Sequence, residues 1–240
     1  MAYSLLQSQS DVPAEDWWLS DRERASLAAF KFPKRRNDWR LGRWTAKQAT
    51  HFYLLDTHLF PSENKNQLRL ADLEIFPAPD GAPQPFVSGI PADLSLSISH
   101  SERYGFCAVS RREVALGCDI ELIQEHETNF AEDYFVDDER ELLLRVPDLS
   151  RNVALTLIWS GKEAALKALR QGLRLDTRSV AVSFDVRQGG ENSWSALSVR
   201  CLEPSRIFGG WWRKSQNFIQ TIVSNPPEIP PFEISRILQP

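Results

Sequence analysis

Leu155 to Leu169 reads LTLIWSGKEAALKAL, and the rest of the chain is organised around it. The stretch has no proline and is rich in Ala, Leu, Lys and Glu, which predicts a helix. Leu155, Ile158, Ala165, Leu166 and Leu169 fall near one helical face, the expected core face. Trp159, Glu163 and Lys167 step by four and share a neighbouring face. Alone, a Glu–Lys pair at that spacing is compatible with nothing more than a solvated helix. Some forty residues earlier the chain reads VALGCDIEL, Val114 to Leu122. Here Val114, Leu116, Cys118, Ile120 and Leu122 alternate with Ala115, Gly117, Asp119 and Glu121. A strand sends the first set to the core and the second to the opposite face. Side chains two apart lie about 7 Å from each other, so Asp119 and Glu121 can reach one hard cation. Glu163 adds a third carboxylate, enough for a magnesium-type site completed by phosphate oxygens and water.

The central helix has a second copy. Trp44 to Ala49 reads WTAKQA and Trp159 to Ala164 reads WSGKEA, an offset of 115 residues in a chain of 240. This predicts two related halves about a pseudo-twofold axis. The acidic position is Glu163 in one copy and Gln48 in the other, so only one copy can supply a metal ligand or base. A single active centre at the junction of the halves follows. The expected fold class is α+β, two similar α/β halves divided as 1–112 and 113–240, the second carrying the metal site and the catalytic helix.

Hydrophobic residues make up 42% of the chain and charged residues 25%, ordinary for a globular protein. A net charge of −4 gives no global basic field for nucleic acid. Cys107, Cys118 and Cys201 have no ligand spacing and leave an odd count, so reduced thiols are expected and a zinc site is not. No apolar run approaches 18 residues, and no signal peptide is evident, so no membrane partner and a cytoplasmic location are expected.

Residues 1 to about 20 read as weakly structured apart from the apolar-aromatic Trp17, Trp18 and Leu19. Ser20, with Glu23 three residues on, is a capping-box signature for a helix from Asp21. A longer helix follows from Lys34 to about Phe60. Along it Arg36, Arg40, Arg43 and Lys47 step by four, three and four, either a solvated basic face or a stripe that binds phosphate. The stretch from 61 to 93 reads as irregular, with a short strand over Leu73 to Phe76 and a loop over Pro77 to Pro85. Leu94 to Ile98, Phe106 to Val109 and the Val114 strand suggest an antiparallel meander. His100 is placed in a loop just past a strand end, where it is either a plain surface residue or, with Ser99 and Ser101, a set of phosphate donors. Asp137 to Arg145 is a short helix with an acidic head, matching its dipole. Gly172 is expected to end the central helix. Strands follow over Val180 to Val186, Trp194 to Leu202 and Phe218 to Val223, with a Gly-Gly turn at 189–190. From Pro226 an extended arm is expected.

Three motifs now stand in order: SISHS at Ser97 to Ser101, GCDIE at Gly117 to Glu121 and WSGKEAALK at Trp159 to Lys167. The chain resembles the 4′-phosphopantetheinyl transferase superfamily, surfactin-synthetase type, whose motifs are I-S-H-S, G-I-D-I-E and W-S-x-K-E-x-x-x-K. GLRLDTRSVAV, FVDDERELL and KRRNDWRLGR also resemble family segments, so the likeness runs over roughly residues 20–223. It departs at Gly81-Ala82-Pro83, where the family often has G-K-P. The resemblance implies transfer of 4′-phosphopantetheine from coenzyme A to a serine of an apo acyl or peptidyl carrier protein, with 3′,5′-ADP released, as in a holo-[acyl-carrier-protein] synthase. It implies Asp119, Glu121 and Glu163 as ligands of Mg²⁺, with Glu163 also taking the serine proton. Lys167 and Lys162 would stabilise phosphate charge, Ser99 and His100 would bond a phosphate, and Arg36 and Arg43 would hold the 3′-phosphate region. A monomer is expected from the duplication. The alternatives are a non-catalytic carrier-protein or nucleotide-binding module of the same fold, or a magnesium-dependent phosphohydrolase.

Overall fold

The computed structural model describes residues 1–59, 68–146, 151–171, 175–185, 191–203 and 205–234. The chain divides into two compact units, one formed by Val114–Pro231 with Met1, the other by Ala2–Glu113 with Phe232–Pro240. Among the described residues, no helix is long and apolar enough to cross a membrane.

The unit from Val114 is built on one antiparallel sheet. Its strands are β7 (Ala115–Leu122), β8 (Val180–Phe184), β9 (Ser195–Cys201), β10 (Arg206–Ser215) and β11 (Phe218–Asn225), in the order β7-β11-β10-β9-β8. Two short helices, α3 (Phe130–Tyr134) and α4 (Asp137–Leu144), precede the central helix α5 (Arg151–Ala168). The face predicted to be apolar is so: Leu155, Ile158, Ala165 and Leu166 are buried in one cluster with Val180, Val182, Val199, Phe208 and Ile219. The same face of the sheet carries Gly117, Asp119 and Glu121, because Ile219 and Val223 of β11 stand opposite Glu121 and Gly117.

β7 thus keeps the expected period of two, but both of its faces are covered. Leu116, Cys118 and Ile120 are buried, yet so are Gly117 and Asp119, and α5 packs on the carboxylate side. Gly117 makes this possible. A Cβ there would lie 1.8 Å from the carbonyl oxygen of Ala164 and 2.7 Å from the amide nitrogen of Ala168. Without a side chain, β7 runs directly beneath the helix, which brings Asp119 and Glu121 under Glu163 and Lys167.

In the unit from Ala2, the main sheet joins β1 (Tyr3–Ser8), β5 (Leu94–Ser101), β6 (Tyr104–Arg111) and β12 (Phe232–Glu233) in the order β12-β1-β6-β5. A small sheet holds β2 (Leu73–Pro77), β3 (Pro83–Val87) and β4 (Ile90–Pro91). Helices α1 (Asp21–Ala28) and α2 (Pro33–Asp56) complete the unit, and Tyr3, Leu5, Ala46, Ala49, Tyr53, Leu96, Cys107 and Val109 share its core.

Several expectations change. Residues 1–20 are not weakly structured throughout, since β1 pairs with β6 and buries Tyr3 and Leu5. The meander stops at two strands, because β7 joins the other unit's sheet. β10 went unread in the sequence, and the segment after Pro226 includes β12, which adds to β1 in parallel. The reading of Gly172, the 189–190 turn and the far ends at Phe60 and Val186 lie outside the described residues. The capping box holds: the Glu23 amide donates to Ser20 Oγ at 3.2 Å and the Ser20 amide to Glu23 Oε2 at 3.1 Å.

Each unit contains a buried lysine–glutamate constellation built the same way. Glu23, the third residue of α1, accepts from Lys47 Nζ in α2, from the Ser20 amide and, through Oε1, from the Ile75 amide of β2 at 3.1 Å. Lys47 also donates to the carbonyl of Trp18 at 2.7 Å. Glu139, the third residue of α4, accepts from Lys162 Nζ in α5 at 2.7 Å, from the Val136 amide at 2.9 Å and, through Oε1, from the Val182 amide of β8 at 2.7 Å. All four charged side chains are fully buried. Burial lowers the pKa of both lysines, and the paired glutamate in each case pulls it back up.

Candidate active site

In β7, strand geometry points Asp119 and Glu121 to the same side. On α5, Glu163 and Lys167 lie one turn apart on a half-buried face. Lys167 Nζ donates to Asp119 Oδ1 at 2.7 Å and to the Cys118 carbonyl at 3.2 Å. Trp159 Nε1, one turn the other way, donates to Glu121 Oε1 at 3.2 Å. Five side chains from two elements thus form one cluster, and four of them were assigned from the sequence. Trp159 was the one left without a role. Its place on the Glu163–Lys167 face was legible in the spacing, but its acceptor on β7 was not.

The electrostatics of the cluster are those of crowded like charges. The Glu121 carboxyl is pushed up from 4.5 to about 7, first by burial and then by Asp119, while the Trp159 hydrogen bond and Lys167 pull it back. Glu163 is also raised, by burial and then by Asp119, against the pull of Lys167. For Lys167 burial opposes the charge, but Asp119, the Cys118 carbonyl and Glu163 outweigh it and its pKa rises. One lysine therefore serves three carboxylates, a net deficit of positive charge.

That deficit has a consequence for stability. A carboxyl whose folded pKa is raised is favoured in its neutral form, so its full stabilising contribution is present below about pH 4.5 and is lost as pH rises through about 7. Glu121→Gln keeps an acceptor for Trp159 and removes the titration. At pH 8, without added metal, this variant is expected to be more stable than the parent by on the order of 1–2 kcal/mol, the linkage value being discounted for residual solvent access. Below pH 4.5 the two should unfold together. Thermal melts across that range check it, and a constant gap at every pH would show that Glu121 does not titrate as described.

Among the described residues, no group of three or more His, Cys, Asp or Glu side chains is drawn together as a metal cage. The chemistry of the donors still fits a hard divalent ion: three carboxylates, no thiolate or imidazole, and unbalanced negative charge. As placed, Asp119 faces Lys167 and Glu121 faces Trp159.

Lys162 requires a correction. It was assigned to phosphate, but it is fully buried, with Nζ bonded to Glu139, to the Thr177 carbonyl at 3.0 Å and to the Val180 carbonyl at 2.6 Å. Three acceptors use up its three protons. The next residue, Glu163, points elsewhere because successive helical positions turn by about a quarter of a circle.

In the unit from Ala2, the basic stripe of α2 divides in the same way. Lys47 is buried with Glu23, and Arg40 bonds Asp16 and the Ala14 carbonyl, the latter at 3.1 Å. Arg36 is exposed. Arg43 lies half-buried over the Trp39 ring, 4.9 Å from its centre, with a buried Nε that meets no acceptor among the described residues. Burial lowers its pKa, with Glu23 acting against that. Ser99 and His100 are not in a loop: β5 continues to Ser101, with Ser99 opposite Phe106 and His100 opposite Gly105. Ser99 is buried and His100 exposed, as alternation along a strand requires. The three polar residues therefore do not share one face.

Residues 115–208 match the family described as the 4′-phosphopantetheinyl transferase superfamily. The chain is 32% identical over 96 residues to the 4′-phosphopantetheinyl transferase gsp of Aneurinibacillus migulanus, covering 40% of this chain and 38% of that protein. It is 27% identical over 129 residues to the 4′-phosphopantetheinyl transferase HetI of Nostoc sp., covering 50% of this chain and 54% of that protein. The matches thus span from about four-tenths to about half of the length of these curated relatives. The resemblance read from the motifs to the surfactin-synthetase type stands on the same relatives. The matched residues 115–208 hold β7, α5 and the whole carboxylate cluster, so the likeness to the 4′-phosphopantetheinyl transferase superfamily falls on the segment that carries the site.

Proposed function

We propose that this protein transfers the 4′-phosphopantetheine group of coenzyme A to a serine of an apo acyl or peptidyl carrier protein, releasing 3′,5′-ADP. The observation that carries this reading is the cluster of Asp119, Glu121, Glu163 and Lys167 on two elements of the matched segment. The chemistry is displacement at phosphorus. The serine Oγ forms a bond to the β-phosphorus of the coenzyme, and the bond from that phosphorus to the bridging oxygen of the nucleotide part breaks. Glu163, raised in pKa and without a hydrogen-bond partner among the described residues, is suited to take the serine proton. Lys167 supplies a fixed positive charge beside the departing phosphate, held against Asp119. Asp119, Glu121 and Glu163 would hold Mg²⁺, which supplies charge neutralisation for the pyrophosphate.

Through the resemblance, Arg36, Arg43, Ser99 and His100 are assigned to coenzyme A, with the two arginines on the 3′-phosphate. Arg43 is the better supported by its surroundings, since its buried Nε meets no acceptor among the described residues. Ala82 leaves out the lysine that the family often has nearby. The matching lysine–glutamate constellations support the reading of the two halves as an internal duplication.

The test is direct. Purified protein, coenzyme A, magnesium and an apo carrier protein are incubated and followed by intact-protein mass. The carrier is expected to gain one phosphopantetheine, and to gain none when EDTA is present. An unmodified carrier would favour a binding module, and free phosphopantetheine without carrier modification would favour a phosphohydrolase.

A further inference from the structure

Trp159 has an indole N–H aimed at a carboxylate that its neighbours repel. Glu121 lies beside Asp119 and near Glu163, and both push against its negative charge. Nothing in β7 itself restrains the end of so long a side chain. The Trp159 N–H does, at 3.2 Å. The indole is itself held: the rings of Phe130 and Tyr134 meet it edge-on, with centres 5.4 and 5.3 Å away. A donor fixed on two sides restrains its acceptor far better than one free to rotate.

The repeat supplies an internal control. Trp44 occupies the matching position of the WTAKQA copy. Its ring is packed edge-on to Trp17 and Trp18, but its Nε1 is buried and meets no acceptor among the described residues. The same residue type in the same helical position thus serves packing alone in one copy. In the other it bonds a carboxylate. The copy whose tryptophan has this bond is the copy with Glu163 rather than Gln48. Packing alone explains a tryptophan in both places, but not why one N–H lies on a carboxylate.

We infer that Trp159 is a positioning residue for Glu121: its N–H holds one carboxylate oxygen so that Glu121 stays within the acidic cluster, ready to share a divalent cation with Asp119 and Glu163. This rests on the metal site of the proposed function, but not on the transfer reaction. Partners of this kind, one shell out from a metal ligand, typically contribute ten- to a hundredfold to metal affinity.

The experiment measures Mn²⁺ binding by electron paramagnetic resonance on the full chain, with neither coenzyme nor carrier present. Trp159→Phe keeps the aromatic packing and removes the donor. It is expected to weaken Mn²⁺ binding about tenfold, while Trp44→Phe leaves binding unchanged. Trp159→His, which keeps a ring N–H, should recover part of the loss. In a Glu121→Ala background, which removes both the ligand and the acceptor, Trp159→Phe should have no further effect, the signature of two residues acting as one unit. In turnover, the magnesium concentration for half-maximal rate should rise by a similar factor, with little change in kcat at saturating magnesium. Equal Mn²⁺ affinity for Trp159→Phe and the parent, or an additive loss in the Glu121→Ala background, would overturn the inference. Because the binding readout needs no carrier, a failure of the transferase reading would leave it standing and be seen separately. Should Trp159→Phe unfold, Trp159→His decides the matter by the same comparison in both backgrounds.

Discussion

Glu163→Gln is expected to lower carrier modification at least a thousandfold while leaving the protein folded and no less stable than the parent. Glutamine keeps the volume and loses both the anion and the base. General base catalysis contributes about 10²–10⁴-fold, and the loss of a metal carboxylate acts in the same direction. The expected gain in stability comes from the cluster itself. Glu163 is raised in pKa by burial and by Asp119, so its charge is a cost in the metal-free fold. The helix accommodates the change, since Gln48 stands at the matching place in the other copy. The two readouts, transfer by mass and unfolding by heat, must move in opposite directions or at least apart. Near-normal transfer by the variant would remove Glu163 from the chemistry, and unfolding would show that its charge supports the fold.

Lys162→Met should do the reverse, with a loss of about 3–5 kcal/mol in stability, the usual cost of stranding one member of a buried ion pair. For a unit of this size that is roughly ten degrees or more in Tm. The pair Lys162–Glu139 is fully buried, and Glu139 also accepts two backbone amides, so removing the lysine leaves an acceptor-rich carboxyl with no cation. Replacing both residues by apolar ones should not restore stability here, although it often does elsewhere, because the amides of Val136 and Val182 would then be orphaned. Urea unfolding of the single and double variants checks this. If Lys162→Met melted like the parent and instead raised the KM for coenzyme A, the ammonium would belong to the ligand site after all.

These two neighbours show what the sequence can and cannot tell. The helix, its apolar face and the shared face of Trp159, Glu163 and Lys167 follow from spacing alone, and so does the common side of Asp119 and Glu121. The role of Lys162 did not follow, because its partner lies 23 residues away in a separate helix and a fully buried lysine is rare. The basic stripe is legible only in part for the same reason: spacing places Arg40 and Lys47 on one line with Arg36 and Arg43, but only the tertiary fold supplies Asp16 and Glu23 to claim the first two. β1 was missed because it is covered on both faces near its start, which erases the alternation that marks a half-exposed strand. The place of His100 is not legible because serines suggest a loop, whereas β5 carries them along its length.

The lysine–glutamate pair has one more consequence. β8 is the last strand of its sheet, and a last strand leaves one row of amides and carbonyls open to any passing strand. In that row the Val180 carbonyl is met by Lys162 and the Val182 amide by Glu139. One ammonium and one carboxylate thus stand where the donor and acceptor of a neighbouring strand would be. The Ile75 amide of β2, which borders the small sheet, is met in the same way by Glu23. The pair is a plug that counterfeits a missing strand, built from side chains and therefore unable to propagate the sheet. Its loss would do more than lower stability: it would open an adhesive seam, so that the variants most weakened in folding should also be those that associate through β8 as they refold.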